Sequence, residues 1–303
     1  KKKGAVTGVS TSHGDITADY VVNCGGMWAR DIGAMAGVSV PLHACEHFYI
    51  VTEQIDGLKR DLPVLRVPDE CAYYKEDAGK LLIGGFEAMG KPYGQAGIPE
   101  DFEFDELPFD MAHVEPELER MFTRIPALEN IGVQTFFNGP ESFTPDGRPY
   151  LGPSAEVPGV FLATGMNSNG ILNSGGVGLT MAEWLIDGEP SRSMLPLLAV
   201  RAHPFQRNTA YNAERAAEAV GFHYGIHWPG RQVTTARGVR RASGAHVTPR
   251  GTRDARGPWP GPRREGQGLS ARARARARAK ARAEARARAR RGRGRGQGRG
   301  RGQ

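Results

Sequence analysis

Cysteine is scarce: the 303-residue chain has three, Cys24, Cys45 and Cys71, and no Cys-x-x-Cys pair. An odd number without paired spacing excludes a disulfide framework and the common zinc sites. It points to reduced thiols inside a cell, each expected to act as a small buried apolar side chain. Long apolar runs are missing as well. None approaches the roughly 20 residues of a membrane-crossing helix. The opening KKKGAVTGVS has neither Met nor a charged-then-apolar leader. The chain is therefore expected to be soluble, with no membrane partner, and to be a piece of something longer. Its expected compartment is the cytoplasm, with the mitochondrial matrix as the alternative.

Acidic residues are nearly missing from one end. Residues 231–303 carry 23 Lys and Arg against three Asp and Glu, leaving 17 basic and 30 acidic side chains in residues 1–230. The overall +7 thus divides into −13 for the body and +20 for the tail. Trp259 is the only aromatic after Trp228, so residues 243–303 cannot bury a core and read as a disordered Arg/Gly/Ala-rich tail. One reading of it is a nucleic-acid arm working by phosphate neutralisation. The other, preferred, is a run without selected function, of the kind a shifted reading frame yields.

What the body has in quantity is glycine in one place. FLATGMNSNGILNSGGVGLTMAEWLIDGEP reads as an apolar strand (Val160 to Ala163), a glycine-rich turn and an amphipathic helix closed by Gly188 and Pro190. Five glycines fall between Gly165 and Gly178, more than a simple turn requires. Such a strand–turn–helix brings main chain close to a ligand and aims the positive helix end at it. The plain alternative is tight packing. A second unit of this kind is NCGGMWARDIGAMAG, where a buried strand feeds Gly25-Gly26 and a helix from Trp28 to Ala36 that Gly37 stops.

Between the two units the pattern changes. Residues 4–12 and 15–24 read as extended segments around a turn at His13-Gly14-Asp15, whereas residues 38–110 hold short alternating strands at 47–52, 63–65, 72–75 and 80–86, as in an antiparallel sheet. A helix over 113–125 with Pro116 near its start, a strand over 133–137 and a turn-rich loop NGPESFTPDGRPYLGP lead back to the organising stretch. The fold class expected is α/β with an α+β insert: a partial Rossmann-like nucleotide-binding domain into which a mostly antiparallel domain is inserted.

NCGGMWA, CEHFYIVTE, ECAYYKEDAGKLLIGGFE, FNGPESFTPDGRPYLGP and GMNSNGILNSGGVG, in this order, resemble the flavin-dependent amine oxidoreductases of the D-amino acid oxidase superfamily. The branch is that of dimethylglycine and sarcosine dehydrogenases and the related regulatory subunit of pyruvate dehydrogenase phosphatase. The resemblance covers about residues 4–242, and VGFHYGIHWPGRQ is similar to the segment leading into the folate-binding half of such enzymes. It implies FAD as cofactor, with tetrahydrofolate in the intact protein, an N-methyl amine as substrate and an electron-transfer partner. It divides the chain into a remnant of the FAD-binding domain (1–37), a substrate domain (38–140), a return to the FAD-binding domain (141–200), a linker (201–242) and the tail.

By resemblance, His47 and Tyr73 face the substrate. A neutral imidazole can accept the ammonium proton and a phenol can orient the amine. Only one of Tyr73 and Tyr74 can do so, because strand neighbours face opposite ways. Gly25 and Gly26 are expected near the cofactor, and Gly165, Met166, Asn167, Asn169, Gly170, Ile171, Asn173, Gly175 and Gly176 along the flavin's pyrimidine edge; no residue is expected to bind metal. Pro145-Asp146-Gly147 would shape the wall beside the ring, and Arg66 and Arg148 are candidates for a substrate carboxylate. The family's opening strand–GxGxxG–helix unit is not found in residues 1–24. Two functions therefore stand: an FAD-dependent oxidoreductase fragment, and a non-catalytic regulatory or scaffold subunit like that of the phosphatase.

Overall fold

The computed structural model describes residues 4–224. The basic tail and the end of the 201–242 segment lie outside these residues. An exposed hairpin opens the chain, β1 (Gly8–Thr11) against β2 (Gly14–Thr17). The second extended segment breaks after β2, and β3 (Val21–Asn23) joins another sheet. There it runs parallel to β11 (Val160–Thr164), with Val21 opposite Val160, while β10 (Tyr150–Pro153) lies antiparallel on the other side of β11. All five residues of β11 are buried, as in a strand covered on both faces. Helix α1 (Ala29–Ala36) follows β3 and ends where Gly37 adopts φ 76°, a conformation glycine takes without strain.

The larger sheet is antiparallel throughout, in the order β5 (Leu65–Val67), β6 (Ala72–Asp77), β7 (Lys80–Gly85), β4 (His43–Thr52), β8 (Pro92–Tyr93), with β9 (Val133–Phe143) along the other side of β4. Its register puts residues in rows. Tyr74, Ile83, Ile50 and Phe136 stand side by side on one face, and the next row, Arg66, Tyr73, Gly84, Tyr49 and Phe137, points the other way. The first row packs under helix α2 (Met111–Arg124), where Val114, Leu118 and Met121 complete the core and the Tyr74 hydroxyl donates to the Met121 carbonyl at 2.8 Å. The second row is left for the cleft described below.

Four local expectations are corrected. Helix α2 starts at Met111, because the Asp110 carboxylate accepts from the His113 N–H and caps it there, so Pro116 falls inside the helix. The strand expected over 133–137 continues to Phe143 through Gly139-Pro140, since pairing with ten-residue β4 carries it on and a proline is tolerated on an edge strand. The glycine-rich turn is shorter than expected. Asn167 and Ser168, at φ 51° and 65°, finish it, and α3 (Gly170–Asp187) already contains Gly170, Gly175, Gly176 and Gly178. The first turns of α3 are open to solvent, with Ile171 95% and Leu172 81% exposed. Finally, the segment expected as a linker holds α4 (Thr209–Phe222), capped by Asn208 and burying Ala216 and Val220 against Cys45, Phe86 and Phe143.

Ile83 sits with no exposed surface at the centre of the first row. Ile83→Ala should lower unfolding stability by about 2–5 kcal/mol in urea denaturation. Ile16→Ala, in the exposed hairpin, should change it by less than about 0.5 kcal/mol.

Candidate functional site

A cleft of about 790 Å³ lies on the second face of the large sheet. His47 reaches it from β4 and Tyr73 from β6, two strands apart, because both stand on the pleat face opposite the α2 core. Gly84, on the strand between them, makes room for the Tyr73 phenol, which lies across it: a Cβ there would overlap the Tyr73 hydroxyl and ring. Tyr74 points into the α2 core, so Tyr73 is the cleft residue of the pair.

The His47 ring is buried and stacked on Phe86, centroids 4.5 Å apart, and its Nδ1 has no hydrogen-bond partner. Phe86 also packs against His223, at 4.3 Å, and Tyr224, at 4.6 Å. Burial, then the charge of Glu141 and the phenols of Tyr224 and Tyr49, push the Tyr73 hydroxyl well above its ordinary pKa. It is therefore a proton donor throughout the physiological range. Burial, then Arg66 and His47, hold His223 down to about 4. Arg66 caps the mouth, its guanidinium carbon 3.7 Å from the centroid of the Tyr224 ring.

A second depression, of about 550 Å³, adjoins the first, and Met27, Trp28, Pro140, Glu141, Ser168 and Ile171 line both. Its wall is formed by residues 164–168 and the start of α3. Gly165, at φ 73°, lies so close to Thr144 that a Cβ would overlap the Thr144 methyl. Asn167 fixes this turn to the end of β9. Its side-chain oxygen accepts from the Thr144 N–H at 2.9 Å and its amide donates to the Gly165 carbonyl at 2.5 Å. The Thr164 hydroxyl is buried there without a partner.

The expected site residues divide accordingly. His47, Tyr73, Asn169 and Ile171 line the first cleft; Gly26, Gly165, Met166, Asn167, Gly170 and again Ile171 line the second. Asn173, Gly175 and Gly176 lie on the exposed flank of α3 and in neither cavity, and Gly25 is spent on packing, since a Cβ would run into Ile32 and Ala29. Arg66 reaches the mouth, whereas Arg148 is exposed elsewhere and Asp146 pairs with Arg201 at 3.0 Å. Of the cysteines expected to be buried, Cys45 is; Cys71 is half-buried and Cys24 is exposed at the rim of the second depression. Sequence reasoning missed Trp28, Glu141 and His223. Glu141 falls in the turn-rich stretch NGPESFTPDGRPYLGP, and with β9 running on to Phe143 the pleat brings it to the cleft face.

A parallel strand pair delivering a tight turn and a helix N-terminus to the edge of an antiparallel lobe is the architecture of two-lobed, nucleotide-cofactor oxidoreductases. Within that class the chain belongs to the FAD dependent oxidoreductase family (DAO), whose profile matches residues 1–184, and the profile of the FAD dependent oxidoreductase central domain matches residues 187–242. It is 39% identical over 236 residues to the 4-methylaminobutanoate oxidase (formaldehyde-forming) of Paenarthrobacter nicotinovorans, covering 78% of this chain and 28% of that protein. It is 36% identical over 237 residues to the mitochondrial sarcosine dehydrogenase of Mus musculus, covering 78% and 26%. Among solved structures, glycine oxidase from Geobacillus kaustophilus superposes with a TM-score of 0.52 at 26% identity, over 66% of this chain and 50% of that one. The chain thus spans about a quarter of the length of the curated relatives it matches.

The second depression fits the polar edge of a flavin. It offers main chain at positive φ, the N-terminus of an 18-residue helix and the unpartnered Thr164 hydroxyl, the donor set that a ring carrying carbonyl and ring-nitrogen acceptors needs. No helix among the described residues is long and apolar enough to cross a membrane.

Asn167→Ala should leave the Thr144 N–H and the Gly165 carbonyl unpaired, at about 1–3 kcal/mol for each buried group, read by urea denaturation. Acid should also weaken the fold. Below His223's ordinary 6.5 the unfolded chain takes up a proton that the folded chain refuses until about 4, so this stability is full above 6.5 and is lost as pH falls toward 4. His223→Gln should flatten part of that slope in melting temperature against pH; His43, also held down to about 4, accounts for another part.

Proposed function

We propose that the chain is the substrate-facing part of an FAD-dependent oxidoreductase that oxidises the N-methyl carbon of a secondary or tertiary amine such as sarcosine or dimethylglycine. The observation that carries this reading is that His47 and Tyr73, from separate strands, line one cleft that opens beside the Gly165–Gly170 turn. The names of the relatives, a methylaminobutanoate oxidase and a sarcosine dehydrogenase, support the substrate class.

Bound FAD would supply the two-electron acceptor, held along Gly26, Gly165 to Asn167 and Gly170. The rest is the work of this chain. An N-methyl amine is mostly protonated at neutral pH, and the methyl carbon gives up hydride only when the nitrogen lone pair is free. His47, which lines the cleft, would accept the ammonium proton at a ring nitrogen, in whichever tautomer the substrate selects. Tyr73, kept protonated and seated across Gly84, donates a hydrogen bond that orients the substrate. Phe86, His223 and Tyr224 wall the cleft and limit water. Loss of hydride leaves an iminium, whose hydrolysis gives formaldehyde and the demethylated amine. We place the protein in the cytoplasm or the mitochondrial matrix; the mitochondrial relative supports the latter.

The test is spectroscopic. The full chain mixed with FAD should become yellow and be bleached anaerobically by sarcosine or dimethylglycine. His47→Gln should keep the flavin and lower the bleaching rate by about 10²–10⁴-fold, and Tyr73→Phe should keep the flavin and raise the apparent substrate constant. A chain that stays colourless with added FAD would reverse the reading in favour of a non-catalytic regulatory subunit.

A further inference from the structure

Glu141 stands on β9 opposite Cys45 of β4, two residues along from Gly139, which is itself opposite His47. Cross-strand partners and residues two apart share a face, so Glu141 and His47 are diagonal neighbours on the cleft face. Glu141 lines both depressions, at the boundary where the turn of Gly165 to Gly170 meets the sheet. Its Oε2 is buried and accepts no hydrogen bond. A carboxylate that faces a cleft while one of its oxygens is shut off from water without a partner is costly to keep, and proteins retain one where a cation arrives. The cations that line the cleft are engaged elsewhere: Lys75 pairs with Asp77 at 3.3 Å, and Arg66 lies on the Tyr224 ring.

We propose that Glu141 is the counter-ion of the substrate's ammonium group, binding the protonated amine N–H and selecting cationic amines over neutral molecules of the same shape. The assignment deepens the amine-oxidation reading and rests on it for the identity of the ligand. Division of labour follows: Glu141 recruits the protonated amine, and His47, one diagonal away, takes its proton. Arg66, which lines the same cleft, adds a cationic group to the anionic one, the complement of the two charges that an amino acid with an N-methyl group carries.

The experiment is calorimetric titration of the full chain, supplied with FAD, with sarcosine and with methoxyacetate, which keeps the skeleton but replaces the ammonium by an ether oxygen. The wild-type chain should bind sarcosine more tightly than methoxyacetate. Glu141→Gln should weaken sarcosine binding by about 30-fold or more, the scale of losing one partner of a buried charge pair, while leaving methoxyacetate unchanged or tighter. Glu141→Asp, which keeps the charge and guards against a folding defect in the amide variant, should recover part of the sarcosine affinity. Equal losses for both ligands, no loss for either, or a wild-type preference for the ether would overturn the assignment. Loss of sarcosine binding in Glu141→Gln without flavin bleaching in the wild type would leave the ammonium site standing and sink the oxidation. Bleaching together with an indifferent Glu141→Gln would do the opposite.

Discussion

The bond from the Thr144 N–H to the Asn167 side chain ties the two lobes at the point where the cleft is made. Thr144 follows β9, the long edge of the antiparallel sheet, and Asn167 sits in the turn that launches α3. Asparagine is suited to both halves of the job. It tolerates the left-handed backbone at φ 51° and offers an acceptor and a donor from one short side chain. With Gly165 pressed on the Thr144 methyl, the turn can approach the strand only in this arrangement. The direction of the α3 N-terminus, and so the shape of the second depression, follows from that contact.

The first cleft depends on a simpler rule, the alternation of a pleated strand. One row of the sheet, Tyr74, Ile83, Ile50 and Phe136, is apolar and stabilises the lobe under α2. The row beside it carries the polar groups. Core and cleft thus fall on opposite faces of the same four strands, and a one-residue slip would exchange them. Helix α4 closes the arrangement by burying small residues against Phe86 and Phe143, which brings His223 and Tyr224 to the cleft wall.

Much of this was readable from the residues. Alternation over 47–52 and the run 72–75 located the second part of β4 and the start of β6; the strand rule said that only one of Tyr73 and Tyr74 could face a cleft, and the family resemblance pointed to Tyr73. The glycines were read less well. Gly26 and Gly165 are required by positive φ, but Gly175, Gly176 and Gly178 sit inside a helix with open space around them, and composition does not distinguish these cases. Strand β9 was cut short because Gly139-Pro140 is a breaker signal that long-range pairing with β4 overrides. Helix α4 was taken for a linker because its alanines bury little area each and carry no strong apolar stripe, yet they allow close approach to the sheet. Thr209–Phe222 has its helix signal in the Asn208 cap rather than in hydrophobicity.

Gly84 carries a consequence for how such a pocket diversifies. Because Tyr73 lies across a rung with no side chain, the depth of the floor is set by backbone, and backbone does not change rotamer. Any larger residue at that rung evicts the phenol instead of trimming the space by a methyl. Changes of substrate size must therefore come from the walls, from Phe86, Tyr224 and the residues of β5, while the distance between the phenol and the imidazole is inherited unchanged.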